Sequence, residues 1–271
     1  MFVTSGSASL AYDVEGTPAA GVDLLLIHAG VADRRSWRPL VDAVGEGRRV
    51  VSYDSRGYGE TTYRPEDHFS HEDALAVMTA AGLDATVVVG ASMGGRAAID
   101  LALEHPERVS ALVLIAPAVS GAPESEDYPE PLATLVRDLH RAEEEDDLDE
   151  VNRVEAHLWL DGPTAPEGRV GGAVRDLFLE MNGRALAAED PGDEPHSVDA
   201  WHRLEELTIP VLVLVGELDL PDVQGNCQVL AERALNARLV VLPGVAHLPH
   251  FERDPTCLAA ISDFLTGLDG A

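Results

Sequence analysis

The chain contains no lysine; all 19 of its basic residues are arginine. That absence removes three kinds of chemistry at once: a Schiff-base lysine, a phosphate-binding Walker lysine and a Ser-Lys dyad. Cysteine is nearly absent too. Cys227 and Cys257 are the only two. Their spacing is not that of metal ligands, and they read as buried small hydrophobes rather than a disulfide. Positive charge is outnumbered, with 19 basic against 48 acidic residues and a net charge of −29. Nucleic acid and anionic membrane surfaces would repel such a chain, so neither is expected as a partner. No apolar run is long enough to span a bilayer. The opening residues, Met1-Phe2-Val3-Thr4-Ser5, have neither the basic region nor the apolar stretch of a signal peptide, and a cytoplasmic protein is expected.

What is present is 271 residues with 45% hydrophobic content, enough for one large α/β domain or a core domain with an insertion. Ser7 to Val14 alternates polar and apolar residues, as an antiparallel edge strand would. Leu24 to Ile27, Arg49 to Tyr53, Val87 to Val89 and Leu112 to Ile115 are short continuous apolar runs, expected of buried parallel strands. Helical patterns separate them. One runs from Glu72 to Ala81 with Ser70 as its candidate N-cap, and another runs from Arg96 to Glu104 and stops at His105-Pro106. From about Val119 to Leu207 no strand-like run occurs. That stretch holds an acidic helix-like piece, Glu143 to Glu150, and an amphipathic one around Val154, His157 and Leu158. It reads as an inserted helical subdomain, residues 119–207, in a core formed by 1–118 and 208–271. Alternation resumes with strand Val211 to Val215, helix Val223 to Leu235, strand Leu239 to Leu242 and a last helix from about Thr256 to Leu265. Repeated β–α–β units predict an α/β fold: a mostly parallel twisted sheet of about eight strands with helices on both faces.

In such sheets function gathers beyond the carboxyl ends of the strands. Those ends carry His28-Ala29-Gly30-Val31, Asp54-Ser55-Arg56-Gly57-Tyr58-Gly59, Gly90-Ala91-Ser92-Met93-Gly94, Gly216-Glu217-Leu218-Asp219 and Pro243-Gly244-Val245-Ala246-His247. Ser92 sits at the apex of a strand–turn–helix, the context that gives G-x-S-x-G meaning. Gly90 to Gly95 matches neither phosphate-cradling pattern, G-x-G-x-x-G or G-x-x-x-x-G-K. A serine, a carboxylate and an imidazole follow one another as Ser92, Asp219 and His247, the order of a nucleophile, acid and base built on this kind of sheet. Asp222 is a rival to Asp219, which is favoured by its position after Gly216. His250 is a rival to His247 and completes an H-x-x-H pair, but no third ligand stands near, and no metal or cofactor is expected.

Taken together, the H-A-G loop at His28, the D-x-R-G-x-G loop at Asp54, the elbow at Ser92, G-x-x-D at Gly216 and the G-x-x-H ending at His247 resemble the α/β-hydrolase superfamily over nearly the whole chain. The resemblance implies a helical cap inserted after the strand ending at Ala116. It implies catalysis by Ser92 as nucleophile, His247 as general base and Asp219 as the residue orienting it. It also implies an oxyanion hole from the backbone N–H groups of Gly30 and Met93. Where many relatives have an aromatic residue after His-Gly, this chain has Gly30, which opens the acyl pocket. Val31 and Trp159 are candidate substrate contacts. His28 is read as shaping its loop, Asp54 and Arg56 as bracing loops, and Trp37 and Trp201 as packing.

The expected activity is cofactor-free hydrolysis of a small ester or lactone by a monomer or homodimer. Two alternatives share these residues. One is C–C bond hydrolysis of a diketone-type compound, for which Arg96, Arg153, Arg169, Arg175 and Arg184 are candidate contacts to an anion. The other is a ligand-binding protein of low turnover.

Overall fold

The computed structural model describes residues 1–16, 21–123, 125 and 128–270. Its core is one eight-stranded sheet in the order β1-β2-β4-β3-β5-β6-β7-β8. The strands are β1 (Phe2–Ser5), β2 (Ala8–Glu15), β3 (Leu24–Ile27), β4 (Val50–Tyr53), β5 (Thr86–Ala91), β6 (Val109–Ile115), β7 (Pro210–Gly216) and β8 (Asn236–Leu242). From β4 through β8 all pairings are parallel, while β1–β2 and β2–β4 are antiparallel. Every residue of β3, β4 and β5 is buried. Helices cover both faces there, which is why these strands read as continuous apolar runs rather than as alternation.

Helices α1 (Arg38–Val44) and α8 (Pro255–Asp269) pack on one face, and α2 (Ser70–Ala81), α3 (Met93–Glu104) and α7 (Pro221–Arg233) on the other. Between β6 and β7 the described residues form no strand. They form α4 (Leu132–Glu144), α5 (Leu148–Glu155), a π-helical turn (Ala156–Asp161), α6 (Gly172–Leu186) and a 3₁₀ turn (Ala200–Glu206). Leu132, Leu135, Val154 and Leu158 of these helices share a small apolar cluster with Leu220, just beyond β7. Among the described residues no helix is long and apolar enough to cross a membrane.

Three local expectations are corrected. The alternating strand near residue 7 is β2, an inner strand; the edge is β1, whose four residues are too few to show a period. Ser70 is the first residue of α2, not its cap. The capping position is Phe69, and the Ser70 hydroxyl bonds Glu194 instead. The acidic run from Glu143 to Glu150 is not one helix. It straddles the break between α4 and α5, where Asp147 caps α5 by accepting from the Glu150 N–H.

Register does the work of assembling the site. Ile27 lies opposite both Tyr53 and Gly90, Ala91 opposite Ile115, and Ile115 opposite Leu214. The strands therefore finish in one row, and the residues after them emerge along one edge of the sheet.

Candidate active site

Ser92 occupies the turn between β5 and α3 with φ 50° and ψ −117°. This backbone conformation costs a non-glycine residue on the order of 1–3 kcal/mol. The commonest reason for a serine before a helix is capping, yet the Ser92 side chain makes no capping bond. Among the described residues its hydroxyl makes no hydrogen bond at all. The turn is held by backbone bonds instead: Ser92 N–H donates to Ile115 O, and Ser92 O accepts from the N–H groups of Gly95, Arg96 and Ala118. A Cβ at Gly90 would stand 2.3 Å from Gly94 O, so no other residue fits there.

Asp219 and His247 follow neighbouring strands, β7 and β8. His247 Nδ1 lies 2.8 Å and 3.0 Å from the two carboxylate oxygens of Asp219, and both side chains are almost wholly buried. Leu220 N–H donates to the same carboxylate at 2.8 Å. An ionised Asp219 can only accept, so Nδ1 carries the imidazole proton and Nε2 keeps its lone pair. Among the described residues Nε2 has no partner. Leu218 N–H donates to Val245 O, tying the two loops together. Gly216 permits this crossing: a Cβ there would meet Ala246 O at 2.2 Å.

Ser92 and His247 line one cavity of about 300 Å³ with Ala116, Pro117, Val119, Tyr128, Trp159, Leu220, Asp222 and Val223 among its walls. Trp159 stands on the π-helical turn with its ring 4.7 Å from the His247 ring. Gly162, next after that turn, presses on Leu218 and Ala246, where a Cβ would come within 2.8 Å and 3.3 Å. Arg169 bonds Glu252 at 2.7 Å and 2.8 Å, and Glu252 in turn accepts from Ala246 N–H. The helical segment is thereby fastened to the loops that carry Asp219 and His247.

Gly30 lies beside Met93: a Cβ on Gly30 would be 3.7 Å from Met93 Cβ and 3.6 Å from its Sδ. Among the described residues the backbone N–H groups of Gly30 and Met93 make no hydrogen bond. The second is one of the donors a helix start leaves unpaired. His28 is buried, with Nδ1 donating to Ala29 O at 2.8 Å and Nε2 accepting from Ser55 N–H at 3.0 Å. Both nitrogens are used within the loop, and burial lowers its pKa. Asp54 accepts from the N–H groups of Arg34 and Glu60. Arg56 spans Asp73, Glu66 and Ser5 O. These residues brace loops.

Several sequence candidates do not reach the cavity. Val31 is buried in the apolar cluster with Trp37 and is not among the described lining residues, its surface being taken up by core packing. His250 stacks on Trp37 at 4.3 Å. Among the described residues both of its ring nitrogens are buried without partners, and burial pushes its pKa down to about 3. The five arginines considered for an anion are paired within the protein: Arg96 with Glu194, Arg153 with Glu150 and Glu167, Arg169 with Glu252, Arg175 with Asp161 and Arg184 with Glu180. None is among the described residues that line the Ser92 cavity. Arg96 borders a second cavity, of about 410 Å³, which Met93 also lines.

Two features of the wall are not assigned to it from sequence, although Asp222 is singled out there as a rival acid. Ala116 is left-handed, with φ 45°. Asp222 is an acidic wall residue: its carboxylate accepts from Tyr128 Oη at 2.7 Å and Ser125 N–H at 3.2 Å.

The sequence profile of the alpha/beta hydrolase fold matches residues 24–254. A pimeloyl-[acyl-carrier protein] methyl ester esterase of Neisseria meningitidis serogroup B is 29% identical over 252 residues, 92% of this chain and 95% of that protein. A putative carbamate hydrolase, RutD, of Caulobacter segnis is 36% identical over 120 residues, 42% of this chain and 45% of that protein. Among solved structures, a thermophilic esterase from Thermogutta terrifontis superposes with a TM-score of 0.73 at 25% identity, covering 99% of this chain and 98% of that one.

Proposed function

The chain belongs to the α/β-hydrolase family and is a hydrolase, and on that premise we propose that it cleaves small esters or lactones through an acyl-enzyme on Ser92. The observation that carries this reading is the Asp219–His247 pair, held in one tautomer, facing the cavity that Ser92 lines. His247 Nε2 takes the proton from Ser92 Oγ as the oxygen attacks the substrate carbonyl. Asp219 stabilises the imidazolium that results. The N–H groups of Gly30 and Met93 receive the oxyanion, a role in which each donor contributes about 10²–10³ in rate. His247 then gives its proton to the departing alcohol. Water, deprotonated in its turn by His247, releases the acid and restores Ser92.

A cavity of about 300 Å³ with mainly apolar walls suits a short acyl or alcohol group. Its described lining includes a carboxylate, Asp222, and no arginine, which favours neutral substrates over anionic ones and gives C–C cleavage of acidic diketones no support. Relatives named as esterases point the same way. The test is turnover of p-nitrophenyl acetate and butyrate by wild type and Ser92→Ala, with fluorophosphonate labelling in parallel. Loss of turnover by about 10⁴-fold or more and loss of the label are expected. Undiminished turnover in the variant would remove Ser92 from the reaction, and folded wild type that neither turns over nor labels would mark a binding protein.

A further inference from the structure

Far from Ser92, three side chains meet where the start of α2 packs on the end of α3. Glu72 Oε1 is 2.9 Å from His105 Nε2 and 3.8 Å from His71 Nε2. One ligating atom from each of the three lies within 4.8 Å of the others. Donors around a tetrahedral zinc at about 2.0–2.1 Å stand roughly 3.3 Å apart, so shifts of about an ångström in the exposed Glu72 and half-buried His105 side chains would bring all three into range.

His71 supplies a second, independent observation. It is only 5% exposed, yet among the described residues neither ring nitrogen makes a hydrogen bond, and Nε2, the one turned toward Glu72, is left free to ligate. A buried imidazole normally finds a partner, since leaving one of its groups unpaired costs about 1–3 kcal/mol. Here its Nε2 faces a carboxylate too far to bond directly but well placed to share a cation. Glu104 and Glu194 add negative field at the same imidazole.

We propose that His71, Glu72 and His105 form a binding site for a divalent transition-metal ion of the zinc type, clamping α2 to α3. Two imidazoles and a carboxylate suit zinc, and water completes the coordination. Magnesium, which prefers oxygen donors, is disfavoured. No acceptor stands behind His71 Nδ1 among the described residues, so the site lacks the outer support of the tightest zinc centres, and micromolar affinity is expected. Helix α3 has 12 residues and starts at the Ser92 turn, which puts the clamp roughly 18 Å from the hydroxyl. The ion is therefore assigned to helix anchoring and takes no part in ester cleavage.

The experiment is calorimetric titration of tag-free, metal-stripped protein with zinc chloride, paired with thermal denaturation. Controls are magnesium chloride and the variants His105→Ala, Glu72→Gln and His202→Ala. The last removes an exposed histidine that pairs with Asp199 away from the site. Wild type and His202→Ala should bind one zinc at micromolar Kd and melt several degrees higher with it. His105→Ala and Glu72→Gln should bind at least about tenfold more weakly and lose the thermal shift. Magnesium should do neither. Absence of one-to-one binding below about 100 µM zinc overturns the assignment. So does equal binding in His105→Ala, which would trace the ion to the diffuse acidic surface.

Discussion

Gly94 rides so closely over Ile27 that a Cβ on it would stand 2.1 Å from the Ile27 carbonyl oxygen. The second glycine of the elbow is thus required by a neighbouring strand, β3, rather than by the turn it sits in. Gly94→Ala is expected to destabilise the protein by about 3 kcal/mol or more, because backbone cannot yield as a side chain can. Gly30→Ala, whose new methyl would meet nothing nearer than 3.4 Å, is expected to cost under about 1 kcal/mol. Urea denaturation of the two variants gives the comparison; equal effects would show that the elbow can move away from β3.

Ser92 holds its strained backbone without a capping bond in return. Ser92→Gly should therefore abolish turnover and at the same time stabilise the fold by about 1 kcal/mol. Ser92→Ala should abolish turnover without that gain. Melting temperatures of the two inactive proteins separate them, and a Gly variant less stable than the Ala variant would contradict the strain.

Asp219→Asn should leave folding nearly intact and lower kcat by about 10⁴-fold, since an amide can donate to Nδ1 and favour the wrong tautomer. Steady-state kinetics on p-nitrophenyl butyrate are the measurement. A drop of less than about tenfold would transfer the orienting role to another acid, with Asp222 the first to examine.

Asp222 lines the same cavity as Ser92 and His247. Asp222→Asn should raise turnover of an ester ending in a carboxylate by about tenfold relative to its neutral analogue, the size of a repulsion of about 1–2 kcal/mol across a partly solvated cavity. The ratio of kcat/KM for the two esters in each protein reads this out; an unchanged ratio would place the substrate's far end elsewhere.

Asp100, on α3, is 1% exposed, accepts from Ser120 Oγ at 2.9 Å and has its pKa raised by burial from 3.8 to about 6. Its protonated form is the one the fold favours. That contribution is fully present below about pH 4 and is lost as pH rises through about 6. Asp100→Asn should accordingly melt several degrees higher than wild type near pH 8 and gain nothing near pH 4. A gain independent of pH would exclude the carboxyl as its source.

Much of this was readable in the chain, for identifiable reasons. The central strands are covered on both faces, so Leu24 to Ile27 and Val87 to Val89 announce themselves as unbroken apolar runs. The motifs at Ser92, Gly216 and His247 are local turns whose residue types are set by backbone geometry. The edge strand β1 was too short to show a period. The break at Asp147 was hidden because its capping aspartate sits within a run of other acids.

Sequence alone determined the order of strands and turns and the identity of the residues standing at their ends, because strand burial and turn chemistry depend on a few neighbouring residues. Only the tertiary structure decided that Val31 is buried in the apolar cluster with Trp37, that Asp222 lines the cavity, that the five candidate arginines are spent on internal carboxylates, and that His71 and Glu72 meet His105. Those outcomes depend on register across the sheet and on packing between distant helices, where each side chain's surroundings come from parts of the chain that carry no local trace of one another.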